Sequence, residues 1–325
     1  MKKILIIQTA FIGDVILATP VMSELQRLWP TIKIDVLVRK GNENLLSNNP
    51  HIQTILTLDK KKNKITELVR LLKVIRKNKY DEIINLHRYL SSGILTFLGG
   101  AKETTGFNSN PMSFSYSRKI NHSLDSNKHE VARNLECIKQ YGNSNFVRPS
   151  LYPSKLDFEN VHVYANEKYF CLAPSSVWYT KMLPLEKWVE LIKFLENKGK
   201  VYLLGGPSDF PLCESIIEQS TGENIANFAG KFSFLESAAL MKSAIRNFVN
   251  DSGPLHICSA MNAPVTAFFC STVTGFGFGP LSEDAKVIEV ENLKCRPCGI
   301  HGHKVCPLGH FKCGFDIQLN IDNKR

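Results

Sequence analysis

Residues 3–20 read KILIIQTAFIGDVILATP, and this stretch decides the fold. Lys3–Ile7 is a short apolar run of strand length, followed by a loop that carries Gly13 and Asp14. Apolar residues then recur at helical spacing, with Val15, Ala18, Met22, Leu25 and Trp29 on one face. A strand, a loop and a helix in that order form the first half of a crossover unit. Further strands fit Lys33–Val38, Thr54–Leu58 and Glu82–Leu86, so the alternation predicts a parallel sheet. From about Val147 to Glu167 the pattern breaks into a polar, aperiodic stretch holding Pro149 and Pro153. The alternation restarts with a strand at Tyr169–Ala173, a helix at Leu185–Asn197 and strands at Val201–Leu204, Asn247–Asn250 and Pro264–Phe269. The expectation is an α/β protein with two Rossmann-like domains, 1–155 and 156–325, facing across a cleft. Its ligands should bind beyond the carboxyl ends of the strands.

The bulk numbers agree with that size of fold. The chain has 325 residues, 43% hydrophobic and 22% charged, enough for two α/β domains with their own cores. No stretch approaches the roughly 18–20 apolar residues of a membrane helix. Only four apolar residues follow Lys3 before Gln8, too few for a secretory signal, which predicts a cytoplasmic protein. Net charge is +10, and the window Lys60–Lys79 alone holds nine Lys/Arg against one acid. Ile65, Leu68, Val69, Leu72, Val74 and Ile75 recur through it, the pattern of a basic amphipathic helix. Such a helix is the solvated face of a core-packed element, or it meets an anionic membrane or acceptor. Nucleic acid is disfavoured, because the window lacks aromatics for base stacking.

Four constellations stand at predicted strand ends. Ile12-Gly13-Asp14 opens the first helix, through Thr19-Pro20; Asp14 there is a helix cap or a general base. Ser175-Ser176 follow a strand and Lys181 comes five residues later, which is an ordinary loop or a phosphate site built from hydroxyls, amides and an ammonium. Gly205-Gly206-Pro207-Ser208-Asp209 ends another strand, so Asp209 caps a tight turn or binds ribose hydroxyls. Without a GxGxxG pattern, a dehydrogenase is disfavoured. Asp251-Ser252-Gly253-Pro254-Leu255-His256 opens a helix, where Ser252 and Gly253 offer amides to a diphosphate and Pro254 suits the first turn. His256 is a core histidine or a donor to a phosphate oxygen.

With Gly-Asp-x5-Pro first, Lys-x-x-Pro at 181–184 and Asp-Ser-Gly-Pro-Leu-His at 251–256, the chain resembles the ADP-heptose:lipopolysaccharide heptosyltransferases of glycosyltransferase family 9. The resemblance implies a GT-B fold and an inverting transfer of a sugar, heptose, from an ADP-sugar donor, and with Lys181 and a helix start in place of an Asp-x-Asp pair the transfer is expected to be metal-independent. The acceptor would be a lipid-linked, anionic inner-core glycan of lipopolysaccharide, reached at the cytoplasmic face of the inner membrane. Asp14 matches the family's catalytic base and Lys181 its donor-phosphate lysine. Ser175, Ser176, Asp209, Asp251, Ser252, Gly253, Pro254 and His256 fall on donor-binding positions, and Gly13 and Thr19 on the acceptor-side loop. Leu183 stands where relatives often carry Trp, and Gly314–Arg325 lacks the periodicity of the family's last helix.

Nine cysteines include Cys137, Cys171, Cys213, Cys258 and Cys270 in apolar contexts, read as core residues. Cys295, Cys298, Cys306 and Cys313 crowd the tail, at a spacing that meets the demands of a structural zinc or leaves free, redox-active thiols. No other cofactor is implied. A nucleotide-sugar epimerase of the same architecture and a non-enzymatic zinc-dependent module are the rival readings. The chain holds no Asp-x-Asp pair for a divalent ion.

Overall fold

The computed structural model describes residues 2–124, 127–220, 222, 224–319 and 321. The chain divides into two compact units, Met1–Tyr152 and Pro153–Arg325. The division falls slightly ahead of the 155/156 expectation because the stretch read as an aperiodic linker contains a helix. Ser154 and Asp157 form a capping box at its start, and it packs against a later helix of the second unit.

The first unit runs β1 (Lys3–Gln8), α1 (Ile12–Leu17), α2 (Thr19–Leu28), β2 (Lys33–Arg39), β3 (Thr54–Leu58), α3 (Lys64–Asn78), β4 (Glu82–Asn85), α4 (Leu90–Leu98), β5 (Glu103–Phe107), β6 (Arg118–Ile120) and α5 (Glu130–Glu136). Its strands pair in parallel in the order β3-β2-β1-β4-β5-β6. The second unit runs α6 (Lys155–His162), β7 (Tyr169–Ala173), α7 (Leu185–Leu195), β8 (Lys200–Leu203), α8 (Phe210–Glu218), β9 (Ile225–Asn227), α9 (Phe234–Ser243), β10 (Arg246–Asn250), α10 (Gly253–Met261), β11 (Val265–Phe269), β12 (Ala285–Glu289) and α11 (Lys312–Phe315). Its parallel order, β12-β11-β10-β7-β8-β9, is the same Rossmann-like topology. In each sheet the order reverses between the first and fourth strands of the unit, β1 and β4 or β7 and β10. Chain crossovers diverge there and open a crevice at the carboxyl edge.

The apolar runs of β1, β7 and β11 are buried along their length, as strands covered on both faces must be. In the first unit Leu5, Ile7 and Leu37 meet Leu71 and Ile75 of α3 and Leu95 of α4. In the second, Trp188 of α7 packs edge-on to Phe268, 5.4 Å between centroids, and donates its ring N–H to the Leu183 carbonyl at 3.1 Å.

Two helical expectations need correction. The helix after β1 is broken at Ala18, because Pro20 sits in the first turn of α2 and has no N–H to continue α1. Trp29 lies past the end of α2, 42% exposed, with Lys2 over its ring. On α3 only Ile75 of the expected apolar set is fully buried, together with Leu71, which that set lacked, while Ile65 and Val69 are 72% and 45% exposed. After Cys313 the structure has only the short α11, and residues 320 and 322–325 of the tail lie outside the described residues. Among the described residues no helix is long and apolar enough to cross a membrane.

Candidate active site

At the switch point of the first unit, α1 starts directly after β1. Gly13 and half-buried Asp14 lie in its first turn, where the Asp14 carboxylate accepts the Phe11 amide at 3.2 Å. Asp14 is therefore a cap by geometry. Burial and the field of Glu130 nevertheless raise its pKa to about 6, against the opposing pull of the Phe11 amide and Arg88. Glu130 opens α5, which is fastened across α1 by Asn134 donating to the Leu17 carbonyl at 3.2 Å. Burial alone would raise Glu130, but His122 at 3.1 Å and Arg133 at 2.7 Å hold it down to about 2. It stays a fixed negative charge beside Asp14.

The loops of neighbouring strands add cations that motif reading missed. Arg88 follows β4 and reaches His122 Nδ1 at 3.4 Å. His87, bonded to Thr9 Oγ1 at 2.9 Å, is driven down to about 4 by burial and by the charges of Lys60 and Arg88. Partial desolvation and the Arg39 guanidinium also lower Lys60. Arg39 and Lys60 form no ion pair among the described residues, and through Lys60 the positive charge at the ends of β2 and β3 reaches His87. Their signal in the sequence was a basic residue at each strand end, visible only once the strands are known to be neighbours. Thr19 does not join them. It is 3% exposed, and its hydroxyl donates to the Ile16 carbonyl at 2.7 Å and accepts the Ser150 amide at 3.0 Å.

At the switch point of the second unit, β7 runs into Pro174-Ser175-Ser176 and β10 into Asp251-Ser252. Fully buried Asn250 ties the two loops together, donating to the Pro174 carbonyl at 2.8 Å and accepting the Leu183 amide at 2.9 Å. The turn Tyr179–Lys181 is thereby held so that Lys181 Nζ lies 2.6 Å from Asp251, whose same oxygen accepts the Thr272 hydroxyl at 2.6 Å. The two charged residues expected to hold a donor are thus each other's partners here. Ser175 and Ser176 are half-buried, and their hydroxyls make no protein hydrogen bond among the described residues. Ser252 caps α10 in an extended conformation, with Gly253 and Pro254 in the first turn. His256, 5% exposed, faces the Phe278 ring at 6.4 Å. Asp209 accepts the Gly206 amide at 2.7 Å, so its carboxylate shapes the β8 turn. Ser271 and Thr272, hydroxyls after β11 in the same pattern as Ser175-Ser176, were overlooked; the buried Ser271 hydroxyl has no partner among the described residues.

The tail packs onto this site. The His303 amide donates to Thr180 Oγ1 at 2.7 Å, the Thr180 amide to the His303 carbonyl at 3.1 Å, and the Cys298 amide to the Ser271 carbonyl at 2.8 Å. Arg296 donates to the carbonyls of Cys270 and Thr272 and pairs with Glu289. Gly302, at φ +75°, fills the remaining space: a Cβ there would stand 2.9 Å from Thr180 Oγ1 and 3.0 Å from both Lys181 Cγ and Ser271 Oγ. Burial, then Cys306 and Cys295, raise the Cys298 thiol. Burial and the other three tail thiols push Cys313 up to about 11. The four thiols thus feel one another, yet among the described residues no group of three or more His, Cys, Asp or Glu is arranged to hold a metal ion.

The model of glycosyltransferase family 9 (heptosyltransferase) matches residues 68–310. Lipopolysaccharide heptosyltransferase 3 of Escherichia coli is 30% identical over 277 residues, 81% of this chain and 82% of that one. Among solved structures, a family 9 glycosyl transferase from Veillonella parvula superposes with a TM-score of 0.80 at 22% identity, covering 88% of this chain and 85% of that one. An E. coli ADP-heptose lipopolysaccharide heptosyltransferase II gives 0.79 at 21% identity, covering 96% and 97%.

Proposed function

The chain belongs to glycosyltransferase family 9, the heptosyltransferases, and from that premise we propose that it transfers heptose from ADP-heptose to an anionic, lipid-linked acceptor of the lipopolysaccharide core. It is a glycosyltransferase with the GT-B fold of two Rossmann-like units. The observation that carries the reading is the Lys181–Asp251 pair held by Asn250 at the β7–β10 switch point, beside open serine hydroxyls and a helix start. That set suits a nucleoside diphosphate: an ammonium for its charge, amides and hydroxyls for its oxygens, and a carboxylate for a hydroxyl or the lysine itself.

In the reaction, Asp14 takes the proton of an acceptor hydroxyl as its oxygen attacks the anomeric carbon. The bond from that carbon to the diphosphate breaks, ADP departs with the electron pair, and the configuration inverts. Lys181, Ser175, Ser176 and the amides of Ser252 and Gly253 meet the charge that develops on the leaving group. Arg39, Lys60 and Arg88 favour an acceptor bearing phosphate or carboxylate groups close to the attacked hydroxyl. Such an acceptor would be met at the cytoplasmic face of the inner membrane.

The test is thermal stabilisation by ADP, UDP, GDP and CMP in wild type and Lys181→Ala, followed by mass analysis of products with and without a core acceptor. Saturation at a hundred times Kd adds about 2.7 kcal/mol, a rise of several degrees. A shift specific to ADP and lost in Lys181→Ala is expected, as is heptose on the acceptor. Indifference to all four nucleotides would sink the reading, and a converted sugar without acceptor would mark an epimerase.

A further inference from the structure

The outer face of α3 and α4 is unlike the rest of the first unit. Leu90 and Phe97 lie two turns apart on α4 and are 46% and 51% exposed; with them go Tyr89 at 65%, Leu98 at 37% and Phe114 at 69%. The Phe97 and Phe114 rings stand 6.4 Å apart, and Leu90 shares the face of α4 that carries Phe97, so these three form one patch and not scattered side chains. Large apolar groups left in water at one place mark a surface that something covers. The adjoining helix supplies the second half of the description. Arg76 of α3 is joined to the Leu98 carbonyl at 2.7 Å, and exposed Ile65 and Val69 sit one turn apart on the same helix. Around them Lys61, Lys62, Lys64, Lys73, Lys77 and Lys79 are all exposed, and none forms an ion pair among the described residues.

We propose that this α3–α4 face docks on an anionic lipid bilayer, with Phe97, Phe114 and Leu90 seated at the headgroup–acyl boundary and the α3 lysines against acidic headgroups. Aromatic and apolar side chains flanked by unpaired lysines on a helix surface fit a charged lipid interface better than a protein partner, which would have to bring its own acid row. The placement also has a use. Tyr89 caps α4 directly after His87 and Arg88, its ring 4.8 Å from that of His87, so the face begins at the acceptor edge of the sheet. Asn110 fixes this corner by donating to the carbonyls of His87 at 2.9 Å and Tyr89 at 3.1 Å. The inference rests on the lipid-linked acceptor of the proposed function and gives it a route: docking sets the Asp14 end of the sheet against the leaflet that presents the acceptor.

The test uses the full chain and vesicles, with no sugar transfer, so its failure and that of the proposed reaction are separable. Wild type should sediment with phosphatidylethanolamine vesicles containing phosphatidylglycerol, weaken with salt, and leave pure phosphatidylcholine vesicles alone. Lys73→Gln with Lys77→Gln should cost about fivefold in partitioning for each charge removed. Phe97→Ser with Phe114→Ser should lose binding while the variant stays folded by circular dichroism, since half or more of each side chain is in solvent. Three results would overturn the proposal: no binding to acidic vesicles, full binding by the phenylalanine variant, or a self-association of wild type that this variant abolishes.

Discussion

In the proposed reaction Asp14 combines two duties that usually fall to different residues. Its carboxylate caps the Phe11 amide, while burial and Glu130 lift its pKa to about 6. A base with that affinity is about nine-tenths ionised at pH 7 and still binds a proton well enough to remove one in a transition state. The kcat/KM profile should therefore fall about tenfold per unit below pH 6 and lie flat through neutrality. The stability sign runs the other way. A carboxyl whose folded pKa is raised stabilises the fold below its unfolded value near 4, and that contribution is lost as pH rises through 6. Asp14→Asn should thus cut transfer by about 10²–10⁴-fold yet melt higher than wild type at pH 7, with the gap closing by pH 4. Equal melting at both pH values would refute the strained-base reading. Gly302 gives a second check. Alanine there is strained by the positive φ and crowds Lys181, so Gly302→Ala should weaken ADP binding by tenfold or more while Gly309→Ala, equally left-handed but with open space around its Cβ, should not.

Among the elements, the loops after β7 and β10 depend on one another through Asn250. Its side chain is buried and serves a carbonyl on one loop and an amide on the other, so Asn250→Ala leaves both unsatisfied, at about 1–3 kcal/mol each. The variant should unfold several degrees lower and lose the ADP-induced shift; an unaltered shift would separate the two loops. This is also where sequence reading stopped short. The apolar runs of β1, β2, β4, β7, β8 and β11 announce themselves because strands buried on both faces must be continuous. By contrast β6 and β9 have three residues each, and neither is fully buried at any position, so their runs have no apolar signature. The polar helix α6 passed for linker because its apolar face is one residue wide, Val161, and only the Ser154–Asp157 box marked it. The loop positions of Asp14, Lys181, Ser175, Ser252 and Asp251 were legible because glycine, proline and hydroxyls punctuate a strand end. Arg39, Lys60, Arg88 and the Gly302–Lys181 contact were not, since they arise from strand order and from chain segments far apart in sequence.

For the molecule as a whole the question is how it neutralises a leaving diphosphate. Transferases that use magnesium need carboxylates close together to hold it, and this chain has no Asp-x-Asp pair anywhere. In the proposed reaction the counter-charge is instead distributed: Lys181 is held against Asp251, and the amides of the α10 start belong to a separate element. Stored in this way, the lysine stays positioned without donor, and a diphosphate has only to draw it across from Asp251. The cost is that affinity depends on ionic strength and on both sequence segments that hold the Lys181 turn, Asn250 on one side and the tail on the other. Transfer should accordingly survive EDTA undiminished and gain nothing from added magnesium, whereas raising salt should weaken ADP binding progressively. Activity abolished by EDTA and restored by magnesium would show that a divalent ion, and not Lys181, carries the charge. Melting that drops under a zinc chelator while transfer persists at lower temperature would instead locate a metal in the cysteine tail, where it would act by holding 295–313 against the donor turn.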